Sequence, residues 1–541
     1  RERLLRFEAG EFEMNVQITR RQYLASAAAL AAGADAAPAP EREEKMNIYF
    51  GDLHNHANVG YAQGSLRRVY EIARNHLDFF AFTPHAHWHD IRHFEGNIED
   101  KWINGFHITR ARWPEVLKMA KEFDAPGKFV TLAGYEWHST SLGDYHILFP
   151  DLDAELYTPD DLTKLQRFAA RRGCIMIPHH PSVRQGKRGA NFTRRDPKVS
   201  PLLEIYSEWG NSESDRAPFP FLRHTEPGRW TKNTLQYALA RGHRFGVIAS
   251  TDDHLGYPGA WGEGLAAVMA PELSRRAILE ALFDRRTYAV TGDRIRLQFT
   301  LNGRLMGREL PYARERRLQI RVMGWDQVDR VEVLKNNRVI HRNFPMDRET
   351  SRASWDKPVL ARFEYGWGPW PALGITRTCD WDFTCRLEDG ILEDVHPCFL
   401  SGPLEEERRD QVLERTDRSV RVRSFTALRQ QIEDRSQKAV VLKMRGGPDT
   451  KLTITLSAPA RQSLSMTFRE LAESSETLYT GEFPRESALL NRIVFSEHYE
   501  THFEVSDSGD GSQADWYYVR VVQSNGQLAW SSPIWVEQAR G

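Results

Sequence analysis

The chain has 541 residues, 27% of them charged and 40% hydrophobic, with a formal net charge of −1. That length exceeds one hydrophobic core and predicts two or three domains. The balanced charge gives no global basic excess for a nucleic-acid or anionic-membrane partner, and no apolar run is long enough to span a bilayer.

The amino terminus reads as targeting sequence. In TRRQYLASAAALAAGADAAPAP the paired Arg20 and Arg21 precede Tyr23, Leu24 and a mildly apolar Ala-rich segment. Ala34-Asp35-Ala36 matches a small-residue cleavage site, and a Pro/Ala spacer follows. The pattern resembles a twin-arginine signal peptide with Met14 as the start of its first region. It predicts a periplasmic or secreted protein with a mature chain from near Ala37, residues 1–45 being signal and linker. The alternative is an Ala-rich amphipathic helix on a cytoplasmic protein.

From Met46 to about Asp293 short apolar runs alternate with helical stretches. MNIYFGDLHNH opens the series, and DFFAFT, KFVTLAGY, HILF, CIMIPH, LLEIYS and FGVIAST follow. Between some of them lie LRRVYEIARNHL, WPEVLKMAKEF, TPDDLTKLQRFAARRG and TKNTLQYALARG. In the third helix Thr158 is expected to cap, Pro159 to occupy the first turn and Gly173 to end it. The alternation predicts a parallel sheet closed into an irregular barrel over residues 46–295. Beyond Asp293 helices largely stop. Residues 296–345 and 500–541 read as a β-sandwich with a turn at Ser524-Asn525-Gly526. Residues 346–499 read as an inserted β-rich module whose tryptophans are core or sugar-facing. Of four cysteines, Cys174 reads as a small core residue, while Cys379, Cys385 and Cys398 lack the paired spacing of a structural zinc site.

Chemistry-bearing residues gather at the ends of these runs. His54 and His56 are one residue apart after an extended run, so both imidazoles point the same way. Glu136 in AGYEWH, His146 in DYHILF, His179 and His180 in IMIPHHP, and Asp252 and His254 in TDDH follow. Of the 19 histidines, only His341, His396, His498 and His502 fall outside residues 54–254. Clustered imidazoles and carboxylates at strand ends predict a metal site.

The ordered set DLHNH, TPH, YEW, YHILF, PHHP and TDDH resembles the polymerase-and-histidinol-phosphatase (PHP) superfamily. FGDLHNH, IPHH, LEIYSEWG, ALARGHRFGVIASTDDH and RRTYAVTGDRI resemble, more narrowly, its branch called domain of unknown function 3604. The resemblance implies an α/β + β fold: a distorted (β/α)7 PHP-type barrel followed by a β-sandwich-like carboxyl-terminal region. It implies two or three divalent ions (Zn, Mn or Fe) held by His54, His56, His85, Glu136, His146, one of His179 and His180, Asp252 and His254. Strand phase favours His179, and the following proline favours His180. Two departures stand out. Pro84 replaces the usual Asp of a T-D-H motif, and YAQG near Gln63 offers no strong ligand. A third ion is then left with His85 and His254, plus what His87 or His89 adds.

Two cations bridged by Glu136 would share a hydroxide and turn it on phosphorus. Arg184 is expected to hold the phosphate, and His180 or Asp253 to protonate the leaving group. Glu204 and Glu208 face the site or form structural ion pairs. The expected activity is a metal-dependent phosphoesterase acting on a small-molecule phosphoester. The alternatives are an amidohydrolase-like enzyme acting on amides or lactones and a non-catalytic carbohydrate- or protein-binding module.

Overall fold

A computed structural model describes residues 46–219, 229–366, 378–400, 408–427 and 437–540. The signal and linker expected over 1–45 lies outside the described residues.

In chain order the first half contains β1 (Asn47–Asp52), α1 (Leu66–His76), β2 (Phe79–Phe82), β3 (His85–Trp88), α2 (Glu99–Phe123), β4 (Val130–His138), β5 (Tyr145–Leu148), α3 (Leu162–Arg172), β6 (Ile175–Pro178), β7 (Leu202–Ser207), β8 (Gly210–Asn211), α4 (Leu235–Ala240), β9 (Gly246–Ala249), β10 (Leu265–Ala270), α5 (Arg275–Phe283) and β11 (Thr287–Val290). β2, β6 and β9 are buried at every residue, which is why FFAF, IMIP and GVIA read as unbroken apolar runs.

Strand direction departs from the expected all-parallel sheet. β1, β2 and β4 are parallel neighbours, as are β3 with β4 and β7 with β9. β5 runs antiparallel to both β4 and β6, and β10 antiparallel to β1 and β11. The connection 139–144 is too short for a crossover helix, so β5 must return beside β4. The hydrogen bonds draw two ladders: one holds β1, β2, β4, β5 and β6, the other β7, β8 and β9. They meet beyond the strand ends, where Asp252 N–H donates to His54 O (2.8 Å) and His56 N–H to Asp253 O (3.0 Å).

Two helix starts also differ. Asp161, not Thr158, caps α3, its side chain accepting from Lys164 N–H. Asp161 stands three residues before Lys164, the spacing that side-chain capping needs. Gly173 ends α3 in the left-handed conformation (φ 70°), as expected. α2 begins at Glu99 rather than near Trp113 and runs through Pro114.

In the carboxyl-terminal half, strands Arg296–Leu301, Glu315–Met323 and Glu500–Ser508 form one antiparallel layer. Their inward Leu297, Phe299, Leu318 and Ile320 share a core with Val331, Val333, Val519 and Val521 of a second layer. That second layer continues through Leu528–Ser531 into β11, β10 and β1, so the sandwich extends the first sheet. Between these pieces stands a nine-stranded sheet built on two long paired strands, Cys379–Cys398 and Lys438–Ala458. Trp381 is buried there, its Nε1 donating to Thr426 Oγ1 (2.9 Å). This core also takes in Ile72 of α1, Tyr257 and Ala260. All four cysteines are buried. Among the described residues no helix is long and apolar enough to cross a membrane.

Candidate metal centre

Each expected ligand is delivered by a strand end. His54 and His56 follow β1, His85 opens β3, Glu136 lies near the end of β4, His179 follows β6, and Asp252 and His254 follow β9. His146 sits at the start of β5, and the reversed direction of that strand puts its start beside the other strands' ends.

Glu136 is the centre of the cluster. Its Oε2 lies 3.6, 3.5 and 3.4 Å from the Nε2 atoms of His54, His56 and His85. Its Oε1 contacts His179 Nε2 and lies 3.4 Å from His138 Nδ1. Asp252 Oδ1 is 3.3 Å from His54 Nε2 and 2.8 Å from His56 Nε2, and its Oδ2 is 3.5 Å from His179 Nδ1. Glu204 reaches the other nitrogen of His54 (3.3 Å) and His146 Nε2 (3.5 Å). His56, His85 and His254 form a further group of converging imidazoles. Asp252 holds a left-handed backbone (φ 55°), a strained conformation for a side chain bearing Cβ, and one that clusters at functional sites.

Three carboxylates, Glu136, Glu204 and Asp252, are thus buried together. Burial pushes the Asp252 carboxyl well above its usual range and raises Glu204 too. Burial resists ionisation of Glu136, but His138 and His179 hold it well below the usual range. Burial works against protonating His54, yet Asp252 and Glu204 raise it well above an ordinary imidazole. Burial, His85 and His254 lower His56. Both oxygens of Glu136, both ring nitrogens of His146 and His179, Nδ1 of His56 and His85, and one oxygen each of Asp252 and Glu204 lack a hydrogen-bond partner. Buried polar atoms are normally satisfied, and so many orphans at one point are what a cation-binding donor set leaves. The donors fit a divalent metal of the imidazole-and-carboxylate class.

The structure separates the paired histidines. His179 faces Glu136 and Asp252, as its phase after β6 favours. His180, at φ 30°, turns to Asp144, with Nε2 3.3 Å from Oδ2. Arg184 is exposed. It is Arg188 that reaches inward: its Nε donates to Asp144 Oδ2 (2.8 Å), and its guanidinium lies 4.8 Å from the Trp88 ring centre. Asp253 is buried, and its Oδ1 accepts from the backbone N–H groups of Leu255 (2.8 Å) and Tyr257 (2.7 Å), which folds the loop. His87 pairs with Asp160 on the surface (2.9 Å), and Gln63 is exposed. Tyr61, two residues before Gln63, stacks on His85 at 3.8 Å between ring centres.

Sequence reading passed over His138, Asp144, Arg188 and Tyr61. His138 had a signal: it stands two residues from Glu136 on the extended strand β4, hence on the same face, and Asp144 stands two residues before His146, just ahead of β5. Glu204 had a stronger one, a carboxylate inside the apolar run LLEIYS. Glu208, 3.1 Å from His254 Nδ1, lies at the edge of the cluster.

Residues 65–148 match the family described as protein of unknown function (DUF3604). An uncharacterized protein of Chlamydia trachomatis is 29% identical over 334 residues, covering 56% of this chain and 50% of the relative. One of Chlamydia pneumoniae is 26% identical over 287 residues, covering 49% and 46%. The chain spans about half the length of these curated relatives. Among solved structures, a Bacteroides vulgatus two-domain protein containing a "predicted PHP-like metal-dependent phosphoesterase" is similar at 14% identity and a TM-score of 0.30, covering 56% of this chain and 83% of that one.

Proposed function

We propose that this protein is a metal-dependent hydrolase and, more narrowly, a phosphoesterase acting on a small-molecule phosphoester. One observation carries the proposal: Glu136, Asp252 and five buried histidines converge with orphaned donor atoms. His54, His56, His85, Glu136, His146, His179, Asp252 and His254 would hold two or three divalent cations. Glu136, with its two oxygens facing different nitrogens, would hold cations through both of them. When bound, such cations supply Lewis acidity toward an ester oxygen and lower the pKa of water.

The chain's own groups do the rest. Glu204, 3.3 Å from His54 Nδ1, orients that ring so that Nε2 faces Glu136 and Asp252. Arg188 binds phosphate oxygens through its planar fork, and Asp144 fixes the guanidinium in place. His180 and Asp144 form the proton-transfer pair. Burial lowers the His180 pKa and keeps the ring neutral, and the adjacent carboxylate stabilises the imidazolium once a proton arrives.

The test is metal analysis of protein purified without chelator, together with a panel of phosphomonoesters, phosphodiesters, amides and lactones. Phosphoester hydrolysis stopped by EDTA supports the proposal. Amide or lactone cleavage without phosphoester turnover overturns it in favour of an amidohydrolase-like activity. Export through Arg20 and Arg21 is part of the same proposal. Changing both to lysine should retain the precursor in the cytoplasm, and an intact amino terminus on cytoplasmic wild-type protein would refute export.

A further inference from the structure

The inserted sheet reaches the loop that carries the last two ligands. After Asp252 and His254 the chain turns through Asp253, whose Oδ1 accepts from Tyr257 N–H at 2.7 Å. The Tyr257 side chain then leaves the first half of the molecule. It is fully buried, and its hydroxyl donates to Asp410 Oδ2 of the insert. Asp410 is itself gripped within the insert: Lys438 Nζ donates to the same oxygen (2.7 Å) and Ser424 Oγ to the other. From the opposite side, Arg68 of α1 is buried with its guanidinium 5.9 Å from the Tyr257 ring centre, and its Nη1 donates to Gly256 O (3.4 Å).

Hydrogen bonding, rather than net charge, joins the two sides of this seam. Arg68 and Lys438 bring two buried cations, and Asp253 and Asp410 two buried carboxylates. Each pair is split between the two parts of the molecule: Arg68 and Asp253 on one side, Lys438 and Asp410 on the other. Each side therefore balances its own buried charge, Lys438 and Asp410 pairing directly within the insert (2.7 Å), and the Tyr257 hydroxyl crosses from one side to the other. Tyr257 is one of the groups through which they touch, beside Asn75, whose Nδ2 donates to Asp410 O (3.0 Å), and Glu71, paired with Arg409 (3.2 Å).

We infer that the insert clamps the metal-ligand loop, with Tyr257 and Asp410 as positioning residues for Asp252 and His254. The clamp acts through backbone. Tyr257 anchors the Asp253 turn, and Asp253 O accepts from His56 N–H while Asp252 N–H donates to His54 O. One hydroxyl in the insert seam therefore sets the relative placement of the first and last ligand pairs. This gives the module at 346–499 a role that needs no ligand of its own. The part of the inference that concerns metal affinity rests on the metal reading above; the part that concerns the loop does not.

Tyr257→Phe in the full chain tests both parts, because it removes one hydroxyl and leaves the Asp410–Lys438 pair and the ring packing in place. In metal-free protein, backbone amides of residues 252–260 should exchange with deuterium about tenfold faster, the worth of one hydrogen bond to a charged group. The paired strand Lys438–Ala458 should keep its wild-type protection. In cobalt titrations at least one equivalent should bind about tenfold more weakly, with an altered d–d spectrum, as loss of an outer partner does. Wild-type exchange over 252–260 overturns the clamp. If cobalt binds neither protein, the metal reading falls while the exchange result still decides the clamp. Should Tyr257→Phe fail to fold, Ser424→Ala, which frees one oxygen of Asp410, is measured the same way with the same expected direction.

Discussion

Two of the buried polar clusters among the described residues are built on opposite terms. Around Asp293, every carboxylate oxygen is matched. Oδ1 accepts from Trp261 Nε1 (2.7 Å) and lies 3.1 Å from His396 Nε2, and Oδ2 accepts from Gln523 (2.6 Å) and Asn525 (2.7 Å). Those partners come from the first half, the insert and the sandwich, so Asp293 ties three regions at one point. Around Glu136, by contrast, both oxygens and most of the surrounding nitrogens are orphans. A satisfied cluster is architecture: its components complete one another. An unsatisfied one costs folding energy and is kept for something that arrives from outside.

The contrast predicts a crossed pair of mutants. Glu136→Gln should abolish phosphoester turnover and lower metal content, yet leave metal-free stability within about 1 kcal/mol of wild type, since the cost of burying the charge and its attraction to His138 and His179 oppose one another. Asp293→Asn should cost about 3 kcal/mol in denaturant unfolding and leave metal content unchanged, because it turns an amide donor toward the amides of Gln523 and Asn525. Burial opposes ionisation of Asp293, but its hydrogen bond to His396 holds its pKa below the usual carboxylate range. Its contribution is therefore present above about pH 4 and is lost as pH falls. If Glu136→Gln unfolds the metal-free protein and Asp293→Asn does not, the two clusters have been assigned the wrong way round.

Next in size is the pH dependence of metal uptake. Asp252 and Glu204 raise His54 well above an ordinary imidazole despite its burial, so the metal-free ring carries a proton near neutrality. A cation must displace it. Affinity should fall as pH falls, roughly tenfold per unit for each proton expelled. Calorimetric titrations with zinc or manganese between pH 6 and 8, compared in buffers of different ionisation enthalpy, would count those protons. Affinity that does not change with pH would mean that His54 meets the metal already neutral. The Asp293 cluster should be unaffected by the same titration.

What could be read in advance follows the range of the interaction. His54 and His56 were legible because a period of two is local; for the histidine pair the parity that continues β6 favoured His179 and the following proline favoured His180, so the sequence left both open. The direction of β5 was not legible: YHILF has the same apolar pattern whichever way it runs, and only the short connection 139–144 decides it. Arg188 was hidden for another reason. Arg184 lies closer to the histidine pair in sequence, but Arg188 adopts φ 77° and its N–H donates to Thr140 O (2.8 Å), which turns its side chain inward. A left-handed arginine has no sequence signature. The Thr158 cap failed similarly: Thr158 and Asp161 are both acceptable capping residues three apart, and it is Asp161 that accepts from Lys164 N–H.

A smaller effect divides the paired histidines. His179→Ala should lose bound metal, since its ring lies between Glu136 and Asp252. His180→Ala should keep it and lose turnover by about a hundredfold, the typical worth of a positioned proton-transfer group. Equal metal loss in both would place His180 among the ligands.

The smallest effect separates the arginines. Arg188 is partly buried, with a side-chain exposure of 28%, and is fixed against Asp144, whereas Arg184 points to solvent. Arg188→Lys keeps the charge and loses the fork, so it should raise KM for a phosphomonoester several-fold, by roughly 1 kcal/mol of binding, with metal content intact. Arg184→Ala should change neither KM nor kcat beyond error, as expected for an exposed loop cation. Salt sharpens the comparison. The contribution of a solvated arginine is screened between low and high ionic strength, while that of a guanidinium held against a buried carboxylate is screened much less. If Arg184→Ala carries the KM effect and the effect fades with salt, the phosphate approaches over the exposed loop and Arg188 serves only to hold Asp144 in place.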